Sequence, residues 1–341
     1  MESKTLKKIF TREFYKPWAE KAKTLAKDDK VLTVLAALGL FVTARCTANF
    51  LCYYYRHFLR RGHDLIKRYG QGSWALVTGA SDGIGKAFAL ELAARGFNII
   101  LIGRNQKKLE GVVEEIKAIN NKAQTRIVIA DFYNSFKPGF FENIYKQVED
   151  LDISILVNNA GDIQRDLFDR MLPTNLFNLM LLNCVPYTIM SRLFIEKLLK
   201  RDKRSAVISI SSLLADRYKL YAPIYCATKR YNDIQTRSIA KECGDRIDVL
   251  STKPGFVNSQ LTPRKEDWLT TVPSKFVKVV LRQLGHTNEI YGHWKHYLKE
   301  RLMGVQELFP PKWLVTRQEQ IAINEKLNNF YNKRKEEESK Q

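Results

Sequence analysis

The chain has 341 residues, 45% hydrophobic and 27% charged, which allows one large α/β domain with extra segments at either end. A formal net charge of +20 points to a negative partner surface: a membrane leaflet, or the phosphates of a nucleotide or CoA. There is no zinc-finger spacing, no aromatic RNA-binding signature and no basic region running into heptads, so nucleic acid is excluded as the expected partner.

Residues 1–30 form a polar, lysine-rich arm. From Val31 to Ala44 the chain runs without a charge, and after Arg45 it continues apolar and aromatic through Phe50, Leu51 and Tyr53 to Tyr55. A clean span needs about 20 apolar residues, and a central arginine costs roughly 2.5–3.5 kcal/mol on insertion. Residues 31–59 are therefore expected to associate with membrane lipid, spanning it or lying on it; the alternative is a helix packed on the enzyme or a partner subunit. Arg56, Arg60, Arg61, Lys67 and Arg68 follow as a basic collar suited to anionic headgroups. The long mixed-charge arm before the apolar run argues against a cleaved signal peptide.

From Trp74 short apolar runs alternate with helical patterns: WALVTGA, NIILIG, TRIVIAD, ISILVNNAG, AVISISS and DVLSTKPG are the strand-like ones. A helical stretch through Phe177–Leu199 and another through IYCATKRYNDIQTRSIAKEC lie between the later runs. This alternation predicts an α/β fold, a doubly wound parallel sheet over residues 70–265. Residues 266–325 carry many large apolar side chains, among them Phe276, Tyr291, Trp294 and Trp313. They are read as a helical extension that either covers a substrate or completes the core. Residues 326–341 are a charged tail.

Cys46, Cys52, Cys184, Cys226 and Cys243 are scattered, odd in number and never spaced C-x-x-C, the pattern of a reducing compartment. His286, His293 and His296 lack ligand partners at metal spacing, and no metal is expected.

The first strand runs into T-G-A-S-D-G-I-G, with Gly79, Ser81, Asp82, Gly83, Ile84 and Gly85 placed where strand gives way to helix. Such a turn lets backbone approach a pyrophosphate, and the helix N-terminus adds N–H donors. The second strand ends Gly103-Arg104-Asn105, with no acid to meet a ribose 2′-hydroxyl. Arg104 could instead hold a 2′-phosphate through its planar fork, which favours NADPH/NADP+ over NAD; the alternative is a solvated strand-end arginine. Asp131 is placed to touch the adenine amino group, unless it only forms a turn.

Tyr225 and Lys229 stand one helical turn apart, and Ser212 precedes the tyrosine by thirteen residues. A phenol near pKa 10 is a poor acid at neutral pH, and a neighbouring ammonium would ease its proton donation to a developing alkoxide. A serine hydroxyl could hold the carbonyl oxygen of the substrate.

The glycine turn, Asn158-Asn159-Ala160-Gly161, Ser212, Tyr225, Lys229 and Pro254-Gly255 occur in the order of the short-chain dehydrogenase/reductase family, which the chain resembles from about Trp74 to Phe256. The resemblance implies a single Rossmann-type domain with a seven-stranded parallel sheet. It makes Tyr225 the general acid/base, Lys229 its pKa modulator and ribose ligand, and Ser212 the carbonyl orienter. It also assigns Asn183 to holding a relay water, and Asn159, Gly161, Pro254, Gly255 and Val257 to the cofactor side. Details such as G-R-N-Q-K-K-L and P-G-F-V-N-S-Q-L-T look more like the very-long-chain 3-oxoacyl-CoA reductases, also called type 12 17β-hydroxysteroid dehydrogenases. That branch implies reduction of 3-oxoacyl-CoA during fatty-acid elongation, at the endoplasmic-reticulum membrane with the catalytic domain facing the cytosol. A steroid-like lipid substrate, or a catalytically inactive cofactor-binding scaffold, stand as alternatives. The branch leaves room for association with other elongation enzymes and for a homodimer.

Overall fold

The computed structural model describes residues 16–17, 20, 24, 29–219, 221–261, 267, 270–306 (main chain only from 301), 321–322, 324–325 and 328. Most of the N-terminal arm and of the charged tail, together with Trp268 and Trp313 of the extension, lie outside the described residues. The chain divides into two units, Met1–Arg60 and Arg61–Gln341.

In the first unit, helix α1 (Asp29–Tyr54) ends in a wider turn over Tyr55–Leu59. None of its residues is buried, and Leu35, Phe41, Val42, Phe50 and Leu51 are all more than half exposed. A helix that is apolar all round needs an apolar environment rather than a single apolar face to dock. The stretch Asp29–Leu59 is long and apolar enough to cross a membrane. Pro173–Leu199 is also long and apolar enough, but half of it is buried inside the second unit.

The second unit is a seven-stranded parallel sheet in the order β3-β2-β1-β4-β5-β6-β9. Its strands are β1 (Trp74–Thr78), β2 (Asn98–Gly103), β3 (Thr125–Ile129), β4 (Ile153–Asn158), β5 (Ser205–Ile210), β6 (Ile247–Thr252) and the short β9 (Glu289–Ile290). The seven parallel strands and the Rossmann-type winding are those expected from the sequence. A separate pair, β7 (Phe256–Val257) and β8 (Thr270–Thr271), lies outside that sheet. The central strands are buried on both faces, which is why they read as continuous apolar runs.

Within those runs the side chains divide by strand period. Ala75, Val77, Ile99 and Leu101 pack with α3 (Gly83–Ala94), α4 (Gln106–Ile119) and α8 (Pro273–Gln283). Leu76, Ile100, Ile102 and Val207 pack instead with α5 (Phe140–Lys146), α6 (Pro173–Leu199) and α7 (Pro223–Cys243). A slip of one residue would exchange the two cores, so the register is firmly set.

Local signals mark the helix starts. Asp82 and Asn105 cap α3 and α4 by accepting from Gly83 N (2.5 Å) and Lys108 N (3.0 Å). Pro173, Pro223 and Pro273 open α6, α7 and α8, where a missing N–H costs nothing. Helix α6 therefore begins one turn before the predicted Phe177.

The N-terminal edge of this unit is tied down by charge. Helix α2 (Leu65–Tyr69) brings Arg68 Nε and Nη2 to within 2.5 and 2.9 Å of the Asp248 carboxylate on β6, and Tyr69 Oη donates to it at 2.7 Å. Arg204 adds a contact at 3.3 Å, and these partners hold the carboxyl below its ordinary pKa although burial opposes them. Asp248→Ala should destabilise the protein by about 2–3 kcal/mol, less than a fully buried broken pair because the arginines can regain water. Denaturant titration of the detergent-solubilised chain checks this, with Asp150→Ala on the exposed Arg126–Asp150 pair as a near-neutral comparison.

Candidate active site

The sheet order turns back between β1 and β4, and a crevice opens there at the carboxyl ends of β1, β2, β3 and β4. Its lining includes Gly79, Ser81, Asp82, Gly83 and Ile84 after β1, Arg104 after β2, Asp131 after β3, and Asn159 and Gly161 after β4. Gly79 sits at φ +63°, a left-handed conformation that lets the turn double back. Gly85, inside α3, presses on that turn: a β-carbon there would lie 2.2 Å from Gly79 O and 2.5 Å from Asn159 Nδ2. Asn159 Nδ2 donates to Thr78 O (3.0 Å) and Gly79 O (3.2 Å), and the Thr78 hydroxyl accepts from Asn159 N (2.9 Å) and Ala160 N (3.1 Å). The two loops that would flank a pyrophosphate are thus stitched together.

At the far end Arg104 lies 5.9 Å from the Tyr133 ring centroid, and the 103–108 stretch offers no carboxylate. Asp131 both lines the crevice and accepts from Tyr133 N at 3.2 Å, starting a short turn there. Glycine backbone, a helix N-terminus and an unopposed arginine form a cradle that fits a dinucleotide with a 2′-phosphate.

A second cavity of about 310 Å³ contains Ser212, Tyr225, Pro254 and Gly255. Ser212 follows β5 and is buried, its hydroxyl accepting from Leu214 N at 3.2 Å, while Leu213 N is fixed to Pro254 O at 2.8 Å. Tyr225 lies in the first turn of α7, partly exposed. Lys229, one turn on, is 4% exposed; its Nζ lies 5.8 Å from the Tyr225 ring centroid, donates to Ile210 O at 2.9 Å and reaches Tyr187 Oη at 3.4 Å. Asn183 on α6 accepts from Asp162 N (2.8 Å) and donates to Asp162 O (3.0 Å) and Thr228 Oγ1 (3.1 Å), while its own carbonyl accepts from Asn232 Nδ2 (2.9 Å). Asn183 Oδ1 and Lys229 Nζ both press on Gly161, at 3.0 and 3.3 Å from where its β-carbon would stand.

Burial raises the Tyr225 phenol above its ordinary pKa, and a hydrogen bond with Ser212 and the Arg165 guanidinium work against that rise. Burial lowers Lys229 to about 8.

The predicted residues fall into two adjoining places. Gly79, Ser81, Asp82, Gly83, Ile84, Arg104, Asp131, Asn159 and Gly161 belong to the crevice, with Gly85 packed beneath its turn; Ser212, Tyr225, Pro254 and Gly255 belong to the cavity; Asn183 and Lys229 sit behind both. The Val257 side chain is in the core and lines neither cavity. Sequence reasoning missed Ser259, Gln260 and Leu261 along the crevice, and Arg165, Tyr221 and Lys299 along the cavity. It also missed Tyr187, whose spacing of one turn from Asn183 on a shared helix was the available signal.

Residues 73–270 match the family model described as short chain dehydrogenase. The human inactive hydroxysteroid dehydrogenase-like protein 1 is 32% identical over 301 residues, covering 83% of this chain and 87% of that protein. A very-long-chain 3-oxoacyl-CoA reductase of Caenorhabditis elegans is 32% identical over 255 residues, covering 72% of this chain and 79% of that protein. Among solved structures, a short-chain dehydrogenase from Sphingobium yanoikuyae in complex with NADPH superimposes with a TM-score of 0.56 at 22% identity, over 62% of this chain and 84% of that one. At that identity the likeness is one of fold.

The lowered pKa of Lys229 carries a stability consequence. Between about pH 8 and 10.5 the unfolded chain binds a proton that the folded chain has released, so the group's contribution to stability rises with pH across that window. In the cofactor-free protein this rise should be smaller in Lys229→Met than in wild type, read by denaturant titration at pH 8 and at pH 10; identical increments would contradict the buried, weakly paired lysine.

Proposed function

Because the chain belongs to the short-chain dehydrogenase family, we propose that it reduces a ketone to a secondary alcohol with NADPH, its substrate being a long-chain 3-oxoacyl-CoA. The observation that carries this reading is that Ser212 and Tyr225 share one cavity beside the glycine-lined crevice, with Lys229 behind Tyr225 at 5.8 Å from its ring centroid. When bound, the reduced nicotinamide supplies the hydride.

The protein's own groups handle the oxygen. Ser212 Oγ, held at the end of β5, donates a hydrogen bond to the substrate carbonyl oxygen and fixes it against the Tyr225 hydroxyl. As negative charge grows on that oxygen, Tyr225 gives up its proton to it. Below about pH 8 the Lys229 ammonium is intact, and its charge stabilises the phenolate left behind. Gly79, Ser81, Asp82, Gly83, Ile84 and Gly85 are assigned to the pyrophosphate side of the cofactor, with Asn159 and Gly161 opposite and Pro254, Gly255 and the Val257 main chain toward the nicotinamide. Asp131 is assigned to the adenine, and Arg104 to the 2′-phosphate. Asn183, whose amide is fully engaged with Asp162 and Thr228, positions the loop after β4 and, through it, the relay beside Lys229.

The all-round apolar helix α1 supports attachment of the enzyme to a membrane, where long acyl chains partition, and the 3-oxoacyl-CoA reductase relatives support placing it at the endoplasmic reticulum facing the cytosol. The relatives named inactive make a non-catalytic scaffold the rival reading. Against it stand the serine, tyrosine and lysine, all present and brought together here.

The test is NADPH oxidation by the detergent-purified chain with a long-chain 3-oxoacyl-CoA and with estrone in parallel. Faster turnover of the thioester is expected; activity on estrone alone would move the enzyme to steroids, and NADPH binding without activity on either would favour the scaffold. Tyr225→Phe should cut kcat by about a thousandfold while still binding NADPH. Arg104→Asp should lower the preference for NADPH over NADH by at least about tenfold, since it replaces a phosphate partner with a repelling carboxylate. An unchanged cofactor ratio would count against the assignment of Arg104.

A further inference from the structure

Just past β6, directly before Pro254, stands a buried lysine that the carbonyl and proton chemistry leaves unused. Lys253 is 2% exposed, and its Nζ lies 2.7 Å from Asp216 Oδ2, 3.5 Å from Asp233 Oδ2 and in contact with Glu289 Oε1 on β9. Two arginines of α7 balance these acids. Arg230 Nη1 is 2.5 Å from Asp216 Oδ1, and Arg237 Nη1 is 3.4 Å from both Asp233 Oδ2 and Glu289 Oε2. Three cations thus face three carboxylates, and Ser251 Oγ donates to the other Asp233 oxygen at 2.7 Å.

One member of this cluster belongs to the active-site turn. Ser212 starts the short turn Leu213–Asp216, and Asp216 closes it. At its start the turn is tied to the chain beyond β6 by Leu213 N, which donates to Pro254 O at 2.8 Å. At its end Asp216 is tied to Lys253, the residue before that proline. The other Asp216 oxygen holds Arg230, the neighbour of Lys229 on the helix that carries Tyr225. A single carboxylate therefore joins the Ser212 turn to the strand end on one side and to α7 on the other. Charged hydrogen bonds constrain direction as well as distance, whereas an apolar contact is non-directional and would let the turn slide. Burying charge is costly even when it is paired, so the cluster is poor evidence for stability and points instead to a geometry being held.

We propose that Asp216, anchored by Lys253 and Arg230, is a positioning residue for Ser212 that sets where the serine hydroxyl stands relative to the Tyr225 phenol. Asp216 lines neither the crevice nor the cavity, so it acts through the serine and not on the substrate. The proposal rests on the ketone-reductase reading above and gives that site a support separate from Lys229. Arg237 reaches Asp233 and Glu289 on the far side of the cluster, which makes it the means of telling stability from positioning.

The test measures NADPH oxidation by the full-length protein in detergent, with whichever ketone the wild type reduces, a long-chain 3-oxoacyl-CoA or estrone. In Asp216→Asn, kcat should fall by about ten- to a hundredfold while the KM for NADPH stays within about twofold, because the crevice is untouched. Arg230→Met, which releases the same carboxylate from α7 at a side chain nearly half exposed, should also lower kcat. Arg237→Met should lower stability in denaturant but leave kcat within about twofold. Ser212→Ala gives the sharpest comparison. Added to Asp216→Asn or to Arg230→Met, it should leave an enzyme about as slow as Ser212→Ala alone, since a misplaced serine has little left to lose. Fluorescence of bound NADPH establishes that each variant is folded. Losses that multiply in the double variants, or an unchanged kcat in both Asp216→Asn and Arg230→Met, would overturn the inference while leaving ketone reduction in place. A wild type that reduces neither substrate would instead remove the reading on which it rests, and the inference with it.

Discussion

One buried ammonium group joins the pieces of the candidate active site. Lys229 reaches from α7 to the last carbonyl of β5, Ile210 O, and toward Tyr187 Oη on α6, with its head pressed against Gly161 of the loop after β4. Burying that charge is costly, as its pKa of about 8 records, and the cost is tolerated only because several elements turn their polar groups toward it. The contact fixes how α7 lies on the sheet and so where Tyr225 meets Ser212.

The other constraint is steric and sits across the crevice. Gly85 has no room for a β-carbon against Gly79 O and Asn159, so α3 starts hard against the first strand's turn. That close approach aims the N-terminus of α3 into the space where β1 and β4 part. Together the two constraints put the glycine-lined crevice, Ser212 and Tyr225 at the same carboxyl edge of the sheet.

Most of the fold was legible because strand burial and helix periodicity leave different marks on a sequence. The central runs, such as Trp74–Thr78 and Ile153–Asn158, are buried on both faces, and helices such as Gln106–Ile119 carry one apolar stripe, so the alternation could be read directly. Boundaries were less legible where a single residue decides them: Pro173 starts α6 a turn early, and the side chain of Asp131 ends the third strand by bonding to Tyr133 N. In the site, the residues with fixed spacing were visible, namely the glycine turn and the Ser212, Tyr225 and Lys229 set. Arg165, Lys219, Lys299 and Ser259 were not, because each reaches its cavity from a different loop or helix and carries no local pattern. Lys229 was visible but its electrostatic state was not: spacing places an ammonium beside a phenol, while only packing tells that burial weakens that ammonium.

The account turns on hydride reaching a carbonyl carbon held by Ser212 and Tyr225. Its most direct test is isotopic: incubate the full-length protein with NADPH deuterated at both C4 positions and a long-chain 3-oxoacyl-CoA, then locate the label in the 3-hydroxyacyl product by mass spectrometry. One deuterium on C3 in the wild type, with labelled product formed about a thousandfold more slowly by Tyr225→Phe, is the predicted result. Unlabelled product, or labelled product formed equally well by the variant, would contradict the assignment of this site.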